Sequence, residues 1–364
     1  MKIDFANLGR AYEEHREEFE KVSLDVMRSA RYILGAETER FEQNLSSFTG
    51  NKYALGCSSG TDALLLALMA MGIRAGDEII TTPFTFIATA ETIACLGAKP
   101  IFVDIDEDTY NIDASKIEQA ITKNTKAIMP VSLYGQMPDM DEINAIAEKY
   151  DLAVIEDAAQ SFGAIYKGKK SCNVSTFGCT SFFPAKPLGC FGDGGAVFAT
   201  NEEDYEKMKA MRVHGQVKRY THHYIGMGGR LDNLQAAILD VKLATYENDI
   251  SRRQAVAESY SNKISDNAAK PLVKDDRTSV WAQYTIRVKE RDKVQKALMQ
   301  KGIPTAVHYP IPMHLQKCFS YLGYTLGDFP VSEKCAQEVM SLPMNPYLEE
   351  AEIDYITTNL NTII

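Results

Sequence analysis

Lys186 stands between Pro184 and Pro187 in SFFPAKPLGCFGDGG, ahead of a run of glycines. Two prolines restrict the local backbone, while glycines permit close approach and dihedrals that other residues avoid. Such a frame suggests an amine held in place, although a Pro/Gly-rich turn with a solvated lysine has the same composition. Ser181 precedes the lysine, and Asp157 lies upstream in IEDAAQS. A placed amine with these neighbours suggests Schiff-base chemistry on a carbonyl.

A second stretch, KYALGCSSGTDALLLALMAMG, reads as a short strand, a tight turn and an apolar helix starting near Thr61. Free amides at Ser59, Gly60 and Thr61, together with the positive end of the helix dipole, would hold a phosphate. A plain capping turn, with Ser59 or Thr61 as the cap, has the same residues. Other chemistries lack their motifs. CSSGTDA is no Gly-x-Gly-x-x-Gly turn, and the glycines of GMGGR follow no predicted strand, which excludes a nicotinamide site. The six histidines are scattered, so no metal site is expected, and Gly-x-Ser-x-Gly is absent.

Pyridoxal 5′-phosphate makes demands that these residues meet together. Its aldehyde needs a lysine, here Lys186. Its ring nitrogen must stay protonated, and a buried carboxylate such as Asp157 favours that form by opposite charge. Its phosphate needs a helix N-terminus and hydroxyls, offered by Gly60, Thr61 and Ser181, and its ring faces need flat or small partners, Phe86 and Ala159. Taken singly, Asp157 is also a helix cap and Phe86 a core aromatic; it is their order along the chain that points to one cofactor.

The elements that must position these residues are legible as a repeating unit. KYALG, DEIITTP, KPIFVDI, KAIMPVSLYG, LAVIED, TFGCTSFF and GGAVFAT are short apolar runs, and IATAETIACLG, ASKIEQAIT and MDEINAIAEKY between them read as helices. Strands alternating with helices predict an α/β fold with a mainly parallel, seven-stranded sheet whose ligands sit beyond the carboxyl ends of the strands. Phe86, Asp157 and Ser181 all fall at such ends. The N-terminal residues read as helices broken at SARYILG, the second stopped by Gly50. One or two long helices from Leu231 to about Ser261 lead to AQYTIRV, DKVQKALMQKG and the polar-aromatic loop AVHYPIPMH. The expected division is a large domain over 1–247 and a smaller C-terminal α/β domain over 248–364.

Composition sets the outer bounds. At 364 residues, 45% hydrophobic and 24% charged, the chain is globular and needs more than one small core. A formal charge of −10 with no basic stripe argues against a nucleic-acid partner. No apolar run reaches membrane-spanning length and the N-terminus is charged, so a cytoplasmic protein without a membrane partner is expected. Seven cysteines without a Cys-x-x-Cys pair are expected to be reduced and mostly buried.

The chain resembles the DegT/DnrJ/StrS family of nucleotide-sugar aminotransferases, which have the type I, aspartate aminotransferase-like fold of pyridoxal phosphate enzymes. YILG, GTDAL, TPFTFIATAE, IEDAAQSFGA, SFFPAKPLG, GDGGA, RLDNLQAAIL and HYPIPMH occur in the family's order. VSLYGQ, SFFPAKPLGC, RLDNLQAAIL and PTAVHYPIP are most similar to the WbpE-like subgroup, which aminates carbon 3 of UDP-2-acetamido-2-deoxy-3-oxo-glucuronate with glutamate, on the way to bacterial surface polysaccharides. The resemblance implies that Lys186 carries the cofactor and moves the proton. It pairs Asp157 with the ring nitrogen and Gln160 with the ring hydroxyl, and stacks Phe86 on the ring. Gly60, Thr61 and Ser181 would hold the phosphate, while Tyr32, Arg230, His308 and Tyr309 would meet the sugar nucleotide. His308 and Tyr309 are equally suited to anchoring a packed loop. Glutamate would leave as 2-oxoglutarate before the keto sugar enters the same site of a homodimer.

Two positions depart from the family. Gly228 stands where an asparagine usually reaches the neighbouring subunit's phosphate, and Ala185 where a serine often precedes the lysine. Lysine rather than histidine at 186 disfavours the family's dehydratases. A 4-keto hexose as substrate, or a cofactor-binding regulatory protein without turnover, is the alternative.

Overall fold

The computed structural model describes residues 3–364. Three helices open it: α1 (Leu8–Glu14), α2 (Arg16–Ser29) and α3 (Ala36–Thr49). The break at SARYILG is a pair of left-handed residues, Ala30 (φ 53°) and Leu34 (φ 49°). Gly50 ends α3 at φ 77°, its amide returning to the Ser46 carbonyl at 2.9 Å, which is how glycine closes a helix without a Cβ clash.

The seven apolar runs form one sheet. Its strands are β1 (Tyr53–Cys57), β2 (Glu78–Thr81), β3 (Lys99–Phe102), β4 (Thr125–Ile128), β5 (Ala153–Asp157), β6 (Phe177–Ser181) and β7 (Gly195–Ala199). They lie in the order β1-β7-β6-β5-β4-β2-β3. β7 runs antiparallel to both its neighbours, β1 and β6, and the other pairings of this sheet are parallel. Alternate residues serve opposite faces, as the pleat requires. In β7, Val197 and Ala199 enter the core under α4 (Gly60–Ala70) and α5 (Ile87–Cys95). Ala196 and Phe198 enter the core with Phe41, Leu45 and Phe182 on the other side. Helix α6 (Met140–Lys149) and α7 (Glu202–Met211) complete the flanking layers.

ASKIEQAIT differs from the expected helix: it forms two short 3₁₀ turns, Ala114–Lys116 and Glu118–Ala120. Asp113 takes both the Ser115 amide at 3.1 Å and the Ser115 hydroxyl at 2.6 Å, and this local bonding competes with a regular helical start.

From Leu231 the chain forms one helix, α8 (Asn233–Lys263). Its first half packs into the large core through Ala236, Leu239, Leu243 and Tyr246. Its second half packs through Val256, Ala257 and Tyr260 into a second core. That core covers an antiparallel pair, β8 (Tyr284–Arg287) and β9 (Val339–Leu342), with α9 (Arg291–Gln300) and α11 (Glu350–Ile363). Ile3 at the chain's start joins the same core. Asp104, just past β3, caps α10 (Pro330–Glu338), accepting from the Val331 amide at 3.0 Å and the Ser332 hydroxyl at 2.6 Å. This contact fixes α10, and with it β9, against the sheet.

Candidate active site

Asp157 ends β5 and is buried. Its Oδ2 accepts from the Thr89 hydroxyl at 2.7 Å and its Oδ1 from the Ala159 amide at 3.2 Å. Burial pushes its pKa up; these two donors and the nearby Lys186 oppose that shift. Lys186 experiences the converse. Burial lowers its pKa, and the Asp157 charge partly restores it. The pair is therefore electrostatically coupled, while the salt bridges of the described residues give Asp157 no direct cationic partner.

The lysine's display follows from its frame. The Lys186 amide donates to the Phe183 carbonyl at 2.8 Å and the Cys190 amide to the Phe182 carbonyl at 2.8 Å, closing a tight loop. A Cβ at Gly189 would stand 2.4 Å from the Pro184 carbonyl oxygen, so that glycine is required by close approach. Ala185 beside the lysine is exposed.

At the start of α4, Ser59 caps the helix by accepting from the Asp62 amide at 3.1 Å. Ser59 is thus the cap, and among the described residues the Gly60 and Thr61 amides have no acceptor, which leaves them available to a ligand. Ser181 at the end of β6 closes over them: a Cβ at Gly60 would lie 2.6 Å from the Ser181 Cβ. Two free amides, a hydroxyl and a helix N-terminus converge there.

The loop after α9 completes the cluster. Gln160 is buried; its Oε1 accepts from the Tyr134 amide at 2.8 Å and its Nε2 donates to the Tyr309 hydroxyl at 3.1 Å. The Tyr309 ring lies 6.1 Å from that of Phe86, which is 54% exposed at the N-cap of α5. The Tyr134 hydroxyl donates to the His308 carbonyl. His308 Nδ1 lies 2.9 Å from the Ser341 hydroxyl, which in turn lies 2.9 Å from that of Thr285. Burial, with Lys186 nearby, pushes the His308 pKa down to about 4. Its imidazole is thus neutral at physiological pH.

Phe86, Asp157, Gln160, Ser181, Lys186, His308 and Tyr309 are therefore gathered at the carboxyl ends of the strands, with Gly60 and Thr61 facing Ser181. Arg230 pairs through its backbone with Cys57, just before the Ser58–Thr61 turn. Tyr32 and Gly228 lie outside this cluster. The Tyr32 hydroxyl donates to the Met27 carbonyl at 3.3 Å, while its carbonyl accepts from the Asn233 amide at 2.9 Å. Gly228 is exposed, and a Cβ there would meet the His214 ring at 3.3 Å.

The model of the DegT/DnrJ/EryC1/StrS aminotransferase family matches residues 13–361. The chain belongs to that family. This DegT-family chain is 50% identical to the UDP-2-acetamido-2-deoxy-3-oxo-D-glucuronate aminotransferase of Pseudomonas aeruginosa, over 98% of this chain and 99% of that one. Its fold matches Streptomyces venezuelae DesV, solved with a ketimine intermediate, with a TM-score of 0.97 at 37% identity over 99% and 98% of the two chains. It also matches Bacillus subtilis NtdA, solved with pyridoxamine phosphate, with a TM-score of 0.92 at 32% identity over 100% and 85%. The protein is an aminotransferase of the type I fold, and its cofactor is pyridoxal 5′-phosphate.

The residues present suit that group. Asp157 offers a buried carboxylate without a direct ion pair, the Gly60 and Thr61 amides are free, and Phe86 presents an uncovered ring face. Thr89, Tyr134 and Ser341 bond directly to Asp157, Gln160 and His308 of this candidate site, and sequence reading missed all three. Thr89 has a local signal, since it lies one helical turn after Phe86 in TFIATAE. The others are joined to the site across long stretches of chain and leave no local pattern.

Proposed function

We propose that this aminotransferase moves the amino group of glutamate to carbon 3 of a UDP-linked 2-acetamido-2-deoxy-3-keto-uronic acid, for bacterial O-antigen or related surface polysaccharide. The observation that carries this reading is the end-to-end similarity to the Pseudomonas aeruginosa enzyme named for that substrate. Arg230 supports it, because its guanidinium pairs with no carboxylate among the described residues. An unpaired arginine at the sheet's carboxyl edge suits a carboxylate, which it can hold through paired hydrogen bonds.

When bound, pyridoxal phosphate supplies an aldehyde that captures amines and a protonated ring that accepts electrons. In this proposal Lys186 Nζ would hold the aldehyde and, when free, would move the proton; burial favours the free-base form that such work needs. Asp157 would accept from the protonated ring nitrogen, Gln160 would meet the ring hydroxyl, and Phe86 would stack on the ring. Gly60, Thr61 and Ser181 receive the phosphate. His308 and Tyr309 would line the approach of the sugar nucleotide, beside Ala185.

We also propose a homodimeric, cytoplasmic enzyme with a composite site. The hairpin of Gln216–Lys218 and Thr221–His222, with the residues that follow it, supports a dimer by leaving Tyr220 79% and Ile225 87% exposed, beside the segment that bears Gly228. Exposed apolar side chains grouped this way suit a protein interface. A division of the chain at 247/248 is consistent with the two cores that α8 serves. Incubation with glutamate and candidate keto sugars, followed by mass spectrometry, tests the substrate: the 3-keto-uronic sugar should gain the amine. Preference for a 4-keto hexose without a carboxylate would sink the proposal.

A further inference from the structure

Glu42, Arg212 and Gly56 close a hydrogen-bonded triangle on the edge of the seven-stranded sheet. Because β1 is an edge strand, the outward amide and carbonyl of Gly56 have no neighbouring strand. Glu42 Oε1 accepts from the Gly56 amide at 2.9 Å, and Arg212 Nη1 donates to the same carboxylate oxygen and to the Gly56 carbonyl at 2.6 Å. The pair is well shielded, with 6% of the arginine side chain and 13% of the glutamate side chain exposed.

Past Gly56, the edge is covered by residues 227–230. The Ser58 amide donates to the Gly229 carbonyl at 3.2 Å, and Cys57 pairs with Arg230. On its other side this segment is bonded to the end of α7: the Gly229 amide donates to the Arg212 carbonyl at 3.0 Å and the Met227 amide to the Met211 carbonyl at 2.8 Å. The segment carrying Gly228 and Arg230 therefore runs between two rails. One rail is Gly56–Ser58, which leads directly into the Ser59–Thr61 turn, and the other is Met211–His214. The Glu42–Arg212 pair ties the rails together.

We propose that Glu42 and Arg212 are positioning residues that set where the Ser59–Thr61 amides lie relative to Arg230, and so govern binding of the cofactor's phosphate. Neither side chain needs to touch the phosphate. Without Arg212 the Glu42 carboxylate keeps a single donor, the Gly56 carbonyl loses its partner, and the spacing of the rails is no longer enforced. The inference rests on the Ser59–Thr61 turn being the phosphate site, and the experiment separates the two.

Apoprotein is titrated with pyridoxal phosphate by absorbance, and its thermal unfolding is followed without cofactor, for wild type, Arg212→Met, Arg212→Lys, Glu42→Gln and Ser181→Ala. Arg212→Met should weaken cofactor binding by about tenfold or more. Glu42→Gln, which keeps an acceptor for both donors, should stay within about threefold of wild type. A folded Arg212→Met protein that binds the cofactor as tightly as wild type overturns the proposal, even if its apoprotein melts lower, because that pattern is a purely structural role. Should Arg212→Met not fold, Arg212→Lys decides: weaker binding with an unchanged apoprotein melt supports the proposal, and unchanged binding overturns it. Ser181→Ala tests the phosphate site itself. Wild-type affinity in that variant removes the premise, whereas weakened binding there with normal binding in the Arg212 variants removes only the positioning role.

Discussion

The Thr89 hydroxyl donates to Asp157 Oδ2 at 2.7 Å, and the Thr85 hydroxyl lies 2.9 Å from that of Thr89. All three side chains are buried. The first turn of α5 thus supplies one of the two donors that oppose the upward shift burial imposes on the Asp157 pKa. Thr89→Val preserves shape and removes that donor. A hydrogen bond to a charged group contributes about 1.5–3 kcal/mol, so the change should push the Asp157 pKa further up and lower kcat by roughly 10–100-fold. Asp157→Asn should be more severe. Steady-state rates and the absorbance of bound cofactor check both; a Thr89→Val enzyme with wild-type kcat and spectrum would remove Thr89 from the site's electrostatics.

In the proposed mechanism Lys186 is the amine on which the chemistry turns. Lys186→Ala should lose at least about 10²–10⁴-fold in transamination rate, the range that general acid–base catalysis alone supplies. Wild-type protein mixed with glutamate should shift its visible absorbance from the pyridoxal to the pyridoxamine form, and the variant should not. A variant that transaminated as fast as wild type would remove Lys186 from its proposed role.

Much of the site was legible because its residues fall at strand ends and helix starts, where the sequence pattern changes period. Phe86, Asp157 and Ser181 were placed that way, and the seven apolar runs became the seven strands. The strand order was not legible, since β7 inserts between β1 and β6 through contacts far apart in sequence. ASKIEQAIT reads as helical on composition, but the Asp113 side chain bonds its own turn. Glu42 with Arg212, and Lys242 with Gly189, are pairs with no local sequence signal, because only the folded chain brings them together.

His308 makes a pH prediction. Its folded pKa of about 4 lies below its unfolded value of 6.5, mainly because of burial. Between those values the unfolded chain binds more protons, so stability falls as pH drops through this window, by at most about 1.4 kcal/mol per pH unit from this group. Above pH 6.5 the contribution is fully present. His308→Gln should flatten the dependence between pH 6.5 and 4 in urea unfolding; an unchanged slope would show that His308 does not titrate as described. The same depression means that no kinetic limb near pH 6–7 should belong to this imidazole.

Lys242 supports the loop that carries Lys186. It is 9% exposed, and its Nζ donates to the Gly189 carbonyl at 2.6 Å, next to the turn that displays Lys186. Burial pushes its pKa down to about 8, with Asp249 opposing the shift. Because the unfolded lysine titrates higher, the unfolded state binds more protons above pH 8. Stability should therefore rise between about pH 8 and 10.4 through this group, by at most about 1.4 kcal/mol per unit. Lys242→Met removes a buried charge, which is often neutral or stabilising, but it also strips the Gly189 carbonyl of its donor, at about 1–3 kcal/mol. These effects oppose each other, so the net change in stability should be small while the loop around Lys186 loosens. The variant should unfold within about 2 kcal/mol of wild type, lose the alkaline rise, and show kcat lowered by about tenfold. Urea titrations at pH 7.5 and 9.5, with kcat measured in parallel, decide the matter: full activity with unchanged pH dependence would show that the Gly189 carbonyl needs no lysine.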